Sequence, residues 1–237
     1  MTIDDAQARK GLAGWKTAMA AGLLGAVVGG GAVAYASRES VRDYLLENPE
    51  ILPEAMDRLR DREAARVISA NRASIETPFA GAWAGAADGD VVLVEFFDYA
   101  CGYCRKSNAD IERLIQEDPK LKVVWREWPV LGADSEAAAR ASLAAAQAGR
   151  FKPFYDTLFA AGRPTPEALA KARSAAGLTG DLTSAAGDRE LERNFQLARN
   201  LEATGTPTFV VGDQILQGAV GYETLRDAIK EARARKS

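Results

Sequence analysis

The stretch VVLVEFFDYACGYCRKSNADIERLIQED, residues 91–118, decides how this chain folds. Its first seven residues, Val91 to Phe97, are β-branched or aromatic and almost continuously apolar, the pattern of a strand buried on both faces. Downstream, Ile111, Leu114 and Ile115 recur at a helical period. The cysteines Cys101 and Cys104 therefore fall at a strand-to-helix junction, with Cys101 at the helix N-terminus. Unpaired amide N–H groups and the helix dipole stabilise a thiolate there. In such places a cysteine pKa falls from ~8.5 to between ~3.5 and ~7.5. Cys104 lies one turn further on, where it can close onto Cys101.

Composition narrows the chemistry around that pair. The 237 residues suffice for one full domain and an additional segment. A net charge of −3 with 27% charged residues gives no sign of a nucleic-acid binder. The absence of histidine excludes imidazole acid–base catalysis and imidazole metal ligation. Cys101 and Cys104 are the only cysteines, and a bridge across so short a loop stabilises little. The spacing therefore points to redox work. A zinc site needs a second CxxC or histidines, which the chain lacks, so no metal is expected.

Outward from the cysteines, Ala80 to Asp90 reads as a small-residue linker ending in an Asp-Gly turn. A second strand is expected at Lys122 to Trp128, and an alanine-rich helix from about Asp134 to Ala148. Three more helical patterns follow, in FKPFYDTLFAA, TPEALAKARSAAGL and RELERNFQLARNLEAT. Thr208 to Val211 and Gln214 to Gln217 form a hairpin across Gly212-Asp213, and a final helix carries Leu225 and Ile229 inward. Strand, helix, strand, helical block, hairpin and helix together predict an α/β chain: a thioredoxin fold with an all-helical insertion, over residues 80–237, preceded by an N-terminal helical arm.

The N-terminal third divides in two. Arg9, Lys10 and Lys16 precede an uncharged run from Thr17 to Ala36 that ends in Ala34-Tyr35-Ala36. A basic start, an apolar run and a small-x-small end describe a secretory signal over residues 1–37. A run of this length also meets the ~20 residues needed to span a bilayer, so residues 17–36 serve equally as an anchor. Either reading places the domain outside the cytoplasm. Residues 38–79 then read as a charged helical arm: Val41, Tyr44, Leu45 and Leu46 in a first helix, an Asn48-Pro49 interruption, and a second helix starting near Pro53. Met56, Leu59, Val67 and Ala70 form a narrow stripe there at near-heptad spacing. Such a stripe needs a partner, either the main domain or a second copy of the chain, and a short oligomerising arm is the favoured reading.

EFFDYACGYC, followed about a hundred residues later by TGTPTF, resembles the DsbA family of bacterial envelope thioredoxin-fold proteins over roughly Val91 to Ala234. YLLENPEILPEAM resembles the N-terminal region of suppressor-of-copper-sensitivity protein C relatives. The resemblance implies a thiol–disulfide oxidoreductase in which Cys101 attacks and Cys104 resolves. It implies that Pro207 is a cis-proline against the pair, that Thr206 presents backbone groups to a substrate, and that Glu95 accepts the proton of Cys104. Gly102 and Tyr103 stand where strongly oxidising members carry a histidine, so the Cys101 thiolate is expected to be less stabilised and the disulfide a weaker oxidant. That dipeptide, with Thr206, is similar to the disulfide isomerases and is assigned to substrate binding. Tyr99 is a second candidate for the substrate surface, and Asp98 reads as a turn residue. No cofactor is expected beyond the Cys101–Cys104 disulfide. The expected partners are unfolded or misoxidised envelope proteins, a membrane redox partner and a homo-oligomer through residues 38–79. Three alternatives stay open: a dithiol oxidase that donates disulfides, a copper-handling thiol protein, and a folding chaperone whose CxxC is incidental.

Overall fold

The computed structural model describes residues 41–180 and 184–236. The expectations for residues 1–37, signal or anchor, lie outside the described residues. Among the described residues, no helix is long and apolar enough to cross a membrane. The chain divides into two compact units, Met1–Leu59 and Arg60–Ser237. In the first, residues 41–47 are helical, a turn follows at Pro49, and helix α1 (Ile51–Glu76) begins. Val41, Tyr44, Leu46, Leu52, Met56 and Leu59 are all exposed there.

The second unit contains a five-stranded sheet. Its strands are β1 (Trp83–Gly85), β2 (Val91–Phe97), β3 (Leu121–Glu127), β4 (Thr208–Val211) and β5 (Gln214–Gln217), in the order β1-β3-β2-β4-β5. β2 and β3 are parallel, connected by α2 (Gly102–Glu117), as a crossover helix requires. β4 runs antiparallel to β2 and turns into β5. Gly212 makes that turn with φ +58°, and a Cβ there would come within 2.7 Å of the Ala232 Cβ. Between β3 and β4 lies the expected helical insertion: α3 (Ala133–Gln147), α4 (Phe151–Ala161), α5 (Pro166–Ala175) and α6 (Ala185–Asn200). Thr165 caps α5 through the Ala168 amide and Ser184 caps α6 through the Gly187 amide. α7 (Tyr222–Ala234) ends the domain.

Side chains of β2 alternate between two cores. Leu93 and Phe97 join Ile111 and Leu114 of α2, Leu225 and Ile229 of α7, and the aromatic residues of α4. Val94 and Phe96 face the other way, onto Ile68 and Ile75 of α1 and Leu197 and Leu201 of α6. Burial on both sides explains why VVLVEFF reads as a continuous apolar run.

Three readings change. The segment 80–90, expected as a linker, contains β1, which pairs antiparallel with β3 at the sheet edge. Three residues, two of them Ala and Gly, are too few to show a period of two. The second strand and the alanine-rich helix each lie one residue earlier than expected. Finally, the second half of the arm helix packs on the sheet through Ile68 and Ile75, a seven-residue spacing, while Ala70 is exposed. The compact unit thus takes in residues 60–79. Arg126 secures this attachment. Its guanidinium donates to the carbonyls of Ser74, Ile75 (2.9 Å) and Thr77 (2.7 Å) at the end of α1, and to Glu190 (2.8 Å) and Asn194 (2.9 Å) of α6.

Candidate active site

β2 ends at Phe97, and the chain turns on Asp98 into α2. Asp98 is buried, and its carboxylate accepts from the Ala100 amide (2.7 Å), the Val130 and Leu131 amides (2.8 and 2.9 Å) and the Ser135 hydroxyl (2.7 Å). Its own carbonyl accepts from the Cys101 amide at 3.0 Å. The expected turn residue therefore also fastens the loop after β3 to the cysteine turn. That loop presents Val130 and Leu131, and the CxxC presents Tyr103, all exposed.

Cys101 is the N-cap of α2, and its sulfur accepts from the Cys104 amide at 3.4 Å. Both cysteines are free. The sulfur of Cys101 also lies 3.2 Å from the Thr206 carbonyl, to which the thiol donates. The Thr206–Pro207 peptide bond is cis, as the resemblance implies, and brings this carbonyl to the pair. Pro207 is itself buried, and its carbonyl accepts from the Gly218 amide at 2.8 Å.

The two sulfurs are electrostatically unlike. Cys101 is held down at about 5, chiefly by its hydrogen bond with the Cys104 thiol. Burial opposes the shift, while the Thr206 side chain and the Cys104 and Tyr103 amides add to it. The lowering therefore needs no side chain from Gly102-Tyr103; the dipeptide contributes an amide. Gly102 faces open space, with no atom within 4 Å of a Cβ placed on it. Cys104 is fully buried, and desolvation drives its thiol far upward, with the Cys101 hydrogen bond and the Glu95 charge adding to the rise.

Glu95 is fully buried on β2, the third residue from the strand's end. One carboxyl oxygen accepts from the Trp125 indole at 3.0 Å, and the other is buried without a partner. Burial holds its pKa well above the usual carboxylate range, and negative charge on Cys101 raises it further, against the Trp125 bond. Tyr99 does not line the surface. It is buried against Phe97 (5.0 Å between ring centroids) and Phe159 (4.8 Å), with its hydroxyl 2.7 Å from that of Ser142.

Sequence reasoning missed Trp125 and Glu127. WREWP puts Arg126 and Glu127 side by side in a strand, so one was bound to read as solvent-facing, yet both are buried. Arg105 is a further addition: from α2 it donates to the Phe159 and Gly162 carbonyls (3.2 and 2.6 Å), tying the cysteine helix to the end of α4. Among the described residues, no group of three or more His, Cys, Asp or Glu is arranged to hold a metal ion.

Comparison with known proteins agrees with this geometry. The model of the DSBA-like thioredoxin domain matches residues 92–230, and that of the copper resistance protein ScsC N-terminal domain matches residues 38–66. A solved thioredoxin-like oxidoreductase from Silicibacter pomeroyi is 37% identical, with 70% of this chain and 99% of that one covered and a TM-score of 0.65. A linker-deleted variant of Proteus mirabilis ScsC is 30% identical over 84% of this chain and 93% of its own, at a TM-score of 0.71. A periplasmic thioredoxin-like protein from Salmonella enterica is 29% identical, covering 69% and 95%, with a TM-score of 0.64. The curated relatives matched include an NhaA-type sodium/proton antiporter of Salinispora tropica, 27% identical over 156 residues. The chain spans about a quarter of the length of those relatives (24% of that antiporter and 62% of this chain).

Proposed function

The chain belongs to the DSBA-like thioredoxin domain family, thiol–disulfide oxidoreductases, and on that premise we propose that it isomerises or reduces disulfides of exported proteins through Cys101 and Cys104. The observation that carries this reading is the asymmetry of the pair: Cys101 at about 5 is a thiolate at neutral pH, while buried Cys104 stays a thiol. An isomerase works from this reduced, nucleophilic form.

The Cys101 thiolate attacks a substrate disulfide, forming a mixed disulfide and releasing one substrate thiolate, which takes up a proton. The negative charge that raised Glu95 is then gone, so Glu95 ionises more readily. Its carboxylate takes the Cys104 proton, and the Cys104 sulfur attacks Cys101. The second substrate thiolate leaves, reduced, with the electron pair of the broken bond. In isomerisation another substrate thiolate instead attacks the substrate sulfur of the mixed disulfide, so that a new substrate disulfide forms and Cys101 leaves as the thiolate with the electron pair of the broken bond. Thr206 and Pro207 border the sulfur where a substrate strand would lie, and exposed Tyr103, Val130 and Leu131 offer apolar contact to an unfolded chain.

An oligomer suits isomerisation, since several sulfurs then face one misfolded substrate. The exposed apolar residues of the first unit, Val41 to Leu59, support self-association through the arm, as does the likeness to the ScsC N-terminal domain. A place in the bacterial envelope is supported by the basic-apolar N-terminus and by the periplasmic neighbour. A membrane redox partner would return the pair to its reduced form.

The test is refolding of a scrambled multi-disulfide protein, comparing the full chain with one starting at Arg60. That shorter chain keeps Ile68 and Ile75 and hence the sheet's cover. Isomerase activity that falls with loss of the oligomer supports the proposal. A full chain that oxidises reduced substrate but leaves scrambled substrate unchanged refutes it in favour of a dithiol oxidase.

A further inference from the structure

A second acid shares the buried face with Glu95. In the parallel β2–β3 register Glu95 lies opposite Trp125 and Phe97 opposite Glu127. Paired residues of adjacent strands project to the same side, so both glutamates face the core that contains Cys104. Glu127 is buried, and neither of its carboxyl oxygens has a hydrogen-bond partner, like the free oxygen of Glu95. Three buried carboxyl oxygens without a hydrogen-bond partner in one core are costly, and native proteins rarely leave such groups without a role. Nothing in the cycle above uses Glu127.

We propose that Glu127 is a positioning and proton-holding partner of Glu95, so that the two buried carboxyls act as one pair receiving the Cys104 proton. The inference rests on the thiol–disulfide reading of Cys101 and Cys104. Two carboxyls in a low-dielectric site do not both ionise, so the pair retains one proton and offers one vacancy. When Cys104 attacks the mixed disulfide, its proton fills that vacancy, the new S–S bond forms, and the leaving thiolate carries off the electron pair. Both glutamates are then neutral. The next reduction of the pair reverses the transfer. A lone Glu95, desolvated as it is, would bind its proton firmly; sharing that proton with Glu127 eases the return.

The groups facing the pair come from every element around it. They are Asp98 and Tyr99 of the turn after β2, Cys101 and Cys104 of α2, Trp125 of β3, Ser142 of α3 and Tyr155 of α4. Burial raises both glutamates well above the carboxylate range, and the charge of Glu95 raises Glu127 further. The Asp98 carboxylate is already engaged by four hydrogen-bond donors. Ser142 faces Glu127 and is bonded to the Tyr99 hydroxyl, which gives the pair a hydroxyl neighbour.

The test follows release of two chromophoric thiolates from an aromatic disulfide reagent by the full chain. The first release reports attack by Cys101, the second resolution by Cys104. Glu127→Gln keeps the shape and removes the titration. Expected are an unchanged first step and a second step slowed at least tenfold at neutral pH. The second step should also gain rate about tenfold per pH unit, as a thiol that loses its proton to solvent does. A second reading needs no variant: the infrared difference between oxidised and reduced wild-type chain should contain two protonated-carboxyl bands, of which Glu127→Gln removes one. An unchanged pH profile of the second step, equal slowing of both steps, or a single carboxyl band overturns the proposal. A wild-type chain that releases no second thiolate overturns the reading beneath it instead.

Discussion

The Cys101 thiolate should contribute to the stability of the reduced chain over a pH window that the site geometry defines. Its thiol is lowered from 9.0 to about 5 in the folded, reduced protein. A group with a depressed folded pKa stabilises the fold above its unfolded pKa and loses that contribution as pH falls through the folded one. The window therefore runs from pH 9 down to pH 5. Each pH unit inside it is worth about 1.4 kcal/mol, so the thiolate contributes about 3 kcal/mol at pH 7 and about 5 kcal/mol above pH 9. The measurement is urea unfolding of the reduced wild-type chain and of Cys101→Ser at pH 5, 6, 7 and 8. Carboxylates titrate in both chains, so only the difference is read. It should widen by about 1.4 kcal/mol per unit. Absorbance near 240 nm, which reports thiolate directly, should rise with a midpoint near 5 in the wild-type chain only. A midpoint at 8 or above, or a stability difference that does not change with pH, would refute the argument that the helix N-terminus, Thr206 and Cys104 together hold the thiolate.

Three further outcomes follow from the same contacts. Glu95→Gln should leave the first thiol-exchange step intact and slow resolution by Cys104 by ~10²-fold or more, read by stopped-flow, because the proton acceptor is gone. Asp98→Ala removes the acceptor of four hydrogen bonds and should cost about 3–5 kcal/mol in urea unfolding, with increased hydrogen exchange at the Val130 and Leu131 amides. Arg126→Met strips the carbonyls at the end of α1 and the buried Glu190 of their common donor. A loss of about 3–5 kcal/mol is expected, with earlier hydrogen exchange across residues 68–77; unchanged exchange there would remove Arg126 from its role.

Much of the domain is local and therefore legible. The buried strand, the cysteine helix and the hairpin each carry their own period and turn residues, and DsbA-like motifs mark Cys101, Cys104, Thr206 and Pro207. β1 escaped notice because three small residues have no period of their own; its pairing with β3 creates it. The arm misled for a related reason. A stripe at heptad spacing tells that a helix needs a partner but not which, and the sheet takes Ile68 and Ile75 while Met56 and Leu59 stay exposed.

The chemistry of the cysteine pair divides along the same line. The amino-acid sequence by itself determined the redox residue, its position at a helix N-terminus and the want of any other cysteine or histidine, since spacing and composition are one-dimensional properties. Only the tertiary structure decided how far Cys101 is lowered, because the Thr206 side chain arrives from a hundred residues away. It alone also revealed that Glu127 is buried. In WREWP two adjacent charges point to opposite faces of a strand, and whether a face is wet depends on what covers it. Here α1 and α6 cover one side and α2, α4 and α7 cover the other, so Arg126 finds partners and Glu127 is left facing Glu95's side of the core.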